Sequence, residues 1–163
     1  MAKASRGAGP TAAVALLARE RVDFTLHEYA HDPAAASFGL EAAAALGRDP
    51  EQVFKTLLVV HEREWAVAVL PVSARLSLRA AAAALGWKRA AMADPRLAER
   101  RTGYVVGGIS PLGQKTPSPT LLDDSAEAWS TVLVSGGRRG LDVELPPAEL
   151  LRLTGGRTAA LRS

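Results

Sequence analysis

Apolar residues spaced three to four positions apart, alanine-rich runs and helix-capping residues together predict five short helices in this chain. Thr11 is a candidate N-cap for the first, because its hydroxyl can accept a hydrogen bond from a free N–H group. The second and third are rich in alanine and end at Gly47 and Gly86, and glycine commonly closes a helix. Asp94 before Pro95 is typical of a helix start. The predicted helices cover residues 11–21, 39–46, 78–85, 94–101 and 146–155.

Segments of alternating or continuous apolar residues between these helices predict short strands. A polar stretch at residues 61–64 predicts a hairpin connection between two of them, and the Pro- and Thr-containing residues 116–120 predict an exposed loop. Because helices and strands interleave and hairpins are included, we expect an α/β fold with a mixed sheet wrapped by helices. The predicted strands cover residues 24–29, 54–60, 65–70, 88–91, 104–106, 131–134 and 141–145.

Length and composition indicate one globular domain. The chain has 163 residues, of which 48% are hydrophobic and 23% charged, enough to bury a core without disulfides. We expect residues 1–10 to form a flexible extension and residues 11–163 to form the domain. No apolar stretch is long enough to span a membrane, and the absence of cysteine fits a reducing cytoplasm. The net charge of +3 permits a polyanionic partner without requiring one.

The segment from Gly103 to Lys115 is a candidate ligand-binding loop. Its paired glycines, Gly107 and Gly108, leave the backbone uncovered, so a ligand could approach the N–H and C=O groups closely. Pro111 restricts the preceding residue and stiffens the loop. A tight turn or a bulge between two strands explains the same composition equally well.

Two charged residues lie in apolar strand patterns. Lys55 shares a strand face with Leu57 and Val59, so it either reaches the sheet edge or serves a cleft. Asp142 alternates with apolar neighbours in the last predicted strand, which is also the pattern of a solvated strand face.

Other kinds of chemistry find little support in the sequence. The three histidines do not have the spacing of a metal-ligand set, so we expect no metal. We also expect no cofactor. No serine lies in a nucleophile elbow, and without cysteine there is no thiol nucleophile.

Five short motifs follow one another along the chain. They are His27-Glu28-Tyr29 through His31-Asp32-Pro33, Ser37-Phe38-Gly39, Val53-Phe54-Lys55-Thr56-Leu57-Leu58, the glycine loop, and Arg138-Arg139-Gly140-Leu141-Asp142-Val143-Glu144-Leu145. Met92-Ala93-Asp94-Pro95 falls between the third and fourth motifs. In this order the motifs resemble the bacterial YbaK family of aminoacyl-tRNA deacylases, which is related to the editing domain of prolyl-tRNA synthetase. The resemblance extends from about residue 11 to about residue 161.

The resemblance implies a largely antiparallel, barrel-like curved sheet and a set of site residues. It implies catalytic roles for Lys55, Asp142 and Gly107. It also implies substrate binding by Tyr29, Phe38, Thr56, Gly108, Ile109, Ser110 and Pro111.

The function implied by the resemblance is trans-editing of mischarged aminoacyl-tRNA, with cysteine on proline tRNA as the substrate. The cysteinyl thiol would attack its own ester, and the partners would be the 3′ end of the tRNA and prolyl-tRNA synthetase. An alanyl-tRNA deacylase of the same fold and a non-catalytic synthetase- or tRNA-binding module remain alternatives. The chain departs from the family pattern after Lys115, where further basic residues are replaced by Thr116-Pro117-Ser118-Pro119, and we expect weaker phosphate contact there.

Overall fold

Five α-helices and eight strands are present in residues 9–163, the part of the chain that the computed structural model describes. The predicted N-terminal extension lies outside the described residues except for Gly9 and Pro10, which are exposed. In chain order the elements are α1 (Ala12–Arg19), β1 (Thr25–Glu28), α2 (Phe38–Leu46), β2 (Phe54–His61), β3 (Glu64–Pro71), α3 (Leu78–Leu85), β4 (Ala91–Met92), α4 (Pro95–Thr102), β5 (Thr120–Asp123), a 3-10 turn (Asp124–Ala128), β6 (Val132–Arg138), β7 (Leu141–Leu145), α5 (Pro147–Thr154) and β8 (Arg157–Ala159).

The strands form two sheets. One is antiparallel with the order β1-β7-β6, and the other has the order β4-β2-β3-β5-β8 with parallel pairing of β5 to both β3 and β8. A backbone bridge between Val53 and Leu133 connects them, and the Leu133 N–H donates to the Gln52 carbonyl oxygen at 3.1 Å. The predicted mixed, largely antiparallel α/β fold is therefore confirmed, while the barrel-like curvature stays a prediction.

The helix boundaries follow the capping signals in the sequence. Ser37 and Asp94 accept hydrogen bonds from the first turns of α2 and α4, and Gly47 and Gly86 close α2 and α3 in the left-handed conformation. These ends confirm the predicted helix positions. None of the helices in residues 9–163 has the length and hydropathy needed to cross a membrane.

The main core lies between the two sheets and α1. Phe54 and Leu58 of β2 pack there with apolar residues of β6 and β7 such as Val134 and Val143, all nearly inaccessible to solvent. Burying each of these side chains contributes about 1.5–3 kcal/mol to folding. The core therefore fixes β2 against the β6–β7 pair.

The prediction of a strand at residues 104–106 was wrong. Tyr104 turns its side chain into the core, where its hydroxyl donates to the Leu112 carbonyl oxygen at 2.6 Å. The Val106 N–H donates to the Glu99 carboxylate at 2.8 Å, and the Gly108 N–H donates to the Val105 carbonyl oxygen. Because turns and a side chain satisfy these backbone groups, the segment needs no partner strand.

Two strands, β5 and β8, were missed, and both pair in parallel. Residues 116–120 were predicted as an exposed loop, but Thr120 begins β5 and is buried. Leu121 and Leu122 point to opposite faces of the sheet, and both are buried. The strand β5 therefore lacks the alternation of apolar and polar residues by which a half-buried strand is recognised.

We expect Asp123→Ala to lower the free energy of unfolding by about 1–3 kcal/mol, because the variant leaves a buried N–H group without an acceptor. Asp123 is fully buried, and its carboxylate accepts from the Leu161 N–H at 2.9 Å and from the Ser125 hydroxyl. Urea denaturation measures the change. Asp124→Ala, at the exposed neighbour, is the control and should change stability by less than about 0.5 kcal/mol. Equal stability of the two variants would contradict this role of Asp123.

Candidate active site

A cavity of about 410 Å³ lies between β2, α2, α4, the glycine loop and the β6–β7 pair. Its volume is in the range of small-molecule sites in proteins, and most of its lining is apolar. Seven of the ten residues implied by the resemblance line it together: Tyr29, Phe38, Lys55, Thr56, Gly107, Ile109 and Asp142.

Lys55 provides a partly buried ammonium group at the cavity. It lies on β2 opposite Leu70 of β3, and its Nζ donates to the Ala74 carbonyl oxygen at 2.6 Å. Burial, and secondarily the charge of Arg75, lowers the pKa of Lys55. One hydrogen bond leaves donor capacity on the ammonium group, so it can also hold an oxygen of a ligand.

Asp142 is a carboxyl group buried in β7, the central strand of the smaller sheet. It lies opposite His27 of β1 and Ser135 of β6, and only 5% of the residue is exposed. Burial raises the pKa of Asp142 to about 7, far above its usual value of 3.8. A cationic group that enters the cavity would stabilise the ionised form of this carboxyl.

Thr56 presents a polar atom that the protein leaves unpaired. Its Oγ1 is buried and has no hydrogen-bond partner among the described residues. A buried hydroxyl without a partner costs about 1–3 kcal/mol, so such a group in a cavity lining is suited to a ligand. Ser135 also lines the cavity, and its Oγ accepts from the Gly137 N–H at 3.1 Å.

Two aromatic side chains line the cavity. Burial, and secondarily the charge of Asp142, raises the pKa of Tyr29 to about 12, so its phenol stays neutral. Phe38, the first residue of α2, lies 5.7 Å from the His31 ring, measured between centroids. The Arg139 guanidinium lies 4.9 Å from the Phe38 ring centroid, and its Nε donates to the Val106 carbonyl oxygen at 2.9 Å. Arg139 thus connects Phe38 to the glycine loop.

The two glycines of the loop are needed for packing within the protein. Gly107 has a φ of +88°, and a Cβ added there would lie 2.8 Å from the Phe38 ring. A Cβ on Gly108 would lie 2.7 Å from the Cα of Arg138. Gly107 lines the cavity, whereas Gly108 is packed against the β6–β7 turn and does not. The glycines were predicted to let a ligand approach the loop backbone closely. In the structure the groups that approach it are parts of the protein itself, the Phe38 ring and the Arg138 backbone.

Ser110 and Pro111, two further predicted substrate-binding residues, lie outside the cavity lining. Ser110 is fully buried, its Oγ accepts from the Leu112 N–H at 3.2 Å, and its carbonyl oxygen accepts from the Gln114 side chain at 3.0 Å. Pro111 is also buried. Both residues support the loop on the side away from the cavity.

Two of the three histidines, His27 and His31, contact carboxylates outside the cavity lining. His27 contacts Glu144 at 2.8 Å, and Arg48 binds the same carboxylate through both terminal nitrogens. His31 contacts Glu41 at 2.8 Å. Within residues 9–163 we find no group of three or more His, Cys, Asp or Glu side chains that could hold a metal ion.

Several cavity residues were not identified from the sequence. Met92 and Ala93 line the cavity, although in the sequence their segment was noted only for its position between the third and fourth motifs. Arg139 was noted within a motif without a role. Its contacts with Phe38 and Val106 depend on three separate parts of the chain, so no local pattern could have revealed them.

Comparisons with known proteins identify the family of this chain. The family model described as "Aminoacyl-tRNA editing domain" matches residues 32–153. An Enterococcus faecalis (strain ATCC 700802 / V583) protein that bears the name Cys-tRNA(Pro)/Cys-tRNA(Cys) deacylase EbsC is 35% identical over 154 residues, which cover 93% of this chain and 92% of that protein.

Solved structures show the same fold. A structure described as a trans-editing enzyme for prolyl tRNA synthetase is 31% identical with a TM-score of 0.76, covering 86% of this chain and 87% of the other. The structure of hypothetical protein APE2540 is 25% identical with a TM-score of 0.79, covering 90% of this chain and 96% of the other. The family model and the identity to EbsC confirm the predicted relationship, and the chain belongs to the aminoacyl-tRNA editing domain family.

Proposed function

We propose that this protein hydrolyses mischarged aminoacyl-tRNA in trans, with cysteine on proline tRNA as its preferred substrate. The observation that carries the proposal is one cavity lined by a lysine, a buried carboxyl and an unpaired hydroxyl: Lys55, Asp142 and Thr56. Membership of the editing family and the names of EbsC and of the trans-editing enzyme support it.

Editing of this kind has a physical reason. A synthetase pocket cannot strongly reject an amino acid of nearly the same size as the correct one, because one methylene changes binding by only about 1–3 kcal/mol. A second site must therefore remove the wrong product. Cysteine and proline are close in size, and prolyl-tRNA synthetase is the proposed partner that supplies tRNA specificity.

The three polar groups have complementary tasks on an aminoacyl ester. Lys55 holds the ester carbonyl or a ribose oxygen through its free donors. Asp142 binds the α-ammonium group of the amino acid, which supplies the cation that its buried carboxylate lacks. Thr56 hydrogen-bonds the substrate through its unpaired hydroxyl, and Tyr29 and Phe38 enclose the nucleoside end by apolar and stacking contacts.

The substrate provides the nucleophile in this proposal, because the chain has no cysteine. The cysteinyl sulfur attacks its own ester carbonyl carbon, forming a C–S bond. The C–O bond to the ribose breaks, and the ribose oxygen takes up the proton that the thiol loses. The product is a cyclic thioester, which water opens to free cysteine. The protein contributes positioning, which can supply about 7–11 kcal/mol of the barrier.

We expect cysteinyl-tRNA(Pro) to be deacylated faster than seryl-tRNA(Pro) or alanyl-tRNA(Pro) by a factor of at least about 100. Serine differs from cysteine by one atom, so cavity size cannot explain a large gap, whereas the nucleophilicity of the thiolate can. Release of labelled amino acid from the three substrates measures the rates. Equal rates for cysteine and serine would refute the thiol mechanism, and preference for alanine would favour the alanyl-tRNA alternative. Binding of the tRNA without release of any amino acid would favour the alternative of a non-catalytic binding module.

We expect Lys55→Ala to lower kcat/KM by about 100-fold or more, as for other groups that hold a reacting oxygen. Lys88→Ala removes an exposed lysine outside the cavity and is the matched control. Circular dichroism checks that both variants are folded. Parent-level turnover by a folded Lys55→Ala protein would overturn the assignment of this residue.

Asp142→Asn should gain stability relative to the parent as the pH rises. The folded-state pKa is raised to about 7, so the stabilisation from the neutral carboxyl is complete below the unfolded pKa, near 4, and is lost as the pH approaches 7. Asparagine does not titrate. The difference in unfolding free energy between variant and parent should shift by up to about 4 kcal/mol in favour of the variant between about pH 4 and about pH 8.

Urea denaturation at both pH values measures this shift. Asp124→Asn, at an exposed position, is the control and should show little change with pH. A difference for Asp142→Asn that is independent of pH would contradict the raised pKa.

A further inference from the structure

A second cavity, of about 450 Å³, adjoins the first. Lys55, Leu57 and Met92 line both, so the two spaces meet at the lysine. The remaining lining comes from the segment between β3 and α3, which includes Ser73 and Arg75, and from Leu78 at the start of α3. Lys55 is thus placed between an apolar cavity with a buried carboxyl and a second cavity that has its own cation.

Arg75 brings a second positive charge close to Lys55. The two side chains border the same cavity, and the charge of Arg75 acts on Lys55. Among the described residues the Arg75 guanidinium has no side-chain hydrogen bond or ion pair, whereas the neighbouring carboxylate of Glu51, which accepts from Ser73, is bound by both terminal nitrogens of Arg162. Two adjacent cations without a carboxylate partner favour an anionic ligand.

We propose that the second cavity binds the 5′-phosphate of the terminal nucleoside of the aminoacylated tRNA, with Arg75 as the contacting residue. The inference rests on the proposed function, because it uses the position of the ester in the first cavity. The ester and the 5′-phosphate are carried by the same ribose, so a ribose at Lys55 places the amino acid in one cavity and the phosphate in the other. A guanidinium is the side chain best matched to phosphate oxygens.

Two substrates that differ only in this phosphate test the inference: 3′-O-cysteinyl-adenosine and its 5′-monophosphate. For the parent protein, we expect kcat/KM to be about 10-fold or more higher for the monophosphate, mainly through KM, as one charge-assisted hydrogen-bonded contact provides. Arg75→Ala should reduce this ratio to about one. If the loss of Arg75 also changed the activity of Lys55, kcat/KM would change equally for both substrates. The ratio of the two kcat/KM values would not be affected.

Arg79→Ala is the matched control, since Arg79 is an exposed arginine four residues away that lines neither cavity. It should keep the parent ratio, and Arg75→Lys should keep part of it. A parent ratio near one, or an unchanged ratio in Arg75→Ala, would overturn the inference and leave the proposed function standing. No cleavage of either compound or of cysteinyl-tRNA(Pro) by the parent protein would instead overturn the proposed function.

Discussion

The backbone bridge between Val53 and Leu133 is the constraint on which the candidate site depends. It connects two sheets that otherwise pair only within themselves, and it lies two residues before Lys55 on β2. The core residues Phe54 and Leu58 then hold β2 against β6 and β7. Because Asp142 is on β7, this docking brings a lysine and an aspartate from distant parts of the chain to one cavity.

The cavity stores unfavourable interactions that a substrate can relieve. Asp142 is buried with a raised pKa, Thr56 has an unpaired hydroxyl, and burial lowers the pKa of Lys55. A buried polar group without a partner costs the folded protein about 1–3 kcal/mol. That cost is recovered when a ligand supplies the partner, so the groups that weaken the fold are the groups expected to hold the substrate.

How much could be predicted from the sequence depends on whether the signal is local. The closing residues Gly47 and Gly86 and the strand Leu141–Leu145 follow from short patterns, and the structure has them as predicted. Tyr104 does not follow such a pattern, because its core contact with Leu112 replaces strand pairing. The parallel strand β5 is buried on both faces and so lacks alternation.

The candidate site shows the same division. Most of the residues that line the cavity fall within the family motifs, but the motifs do not separate residues that face the cavity from residues that support the loop. Gly108 packs against the Arg138 backbone and Ser110 accepts from the Leu112 N–H, so both support the loop and do not line the cavity. A one-dimensional motif records both kinds of constraint alike, and only the packing distinguishes them.

A reaction that depends on substrate positioning requires a rigid cavity lining. The glycine loop is held rigid by contacts with residues outside it. Gly107 allows the Phe38 ring to lie directly against the loop backbone, and Arg139 fastens both by stacking on the ring and donating to the Val106 carbonyl oxygen. A substrate whose own thiol must reach its ester carbonyl gains most from such confinement, because each excluded conformer raises the share of reactive ones. The close packing of this loop is therefore a direct contribution to the proposed reaction, even where its residues do not touch the substrate.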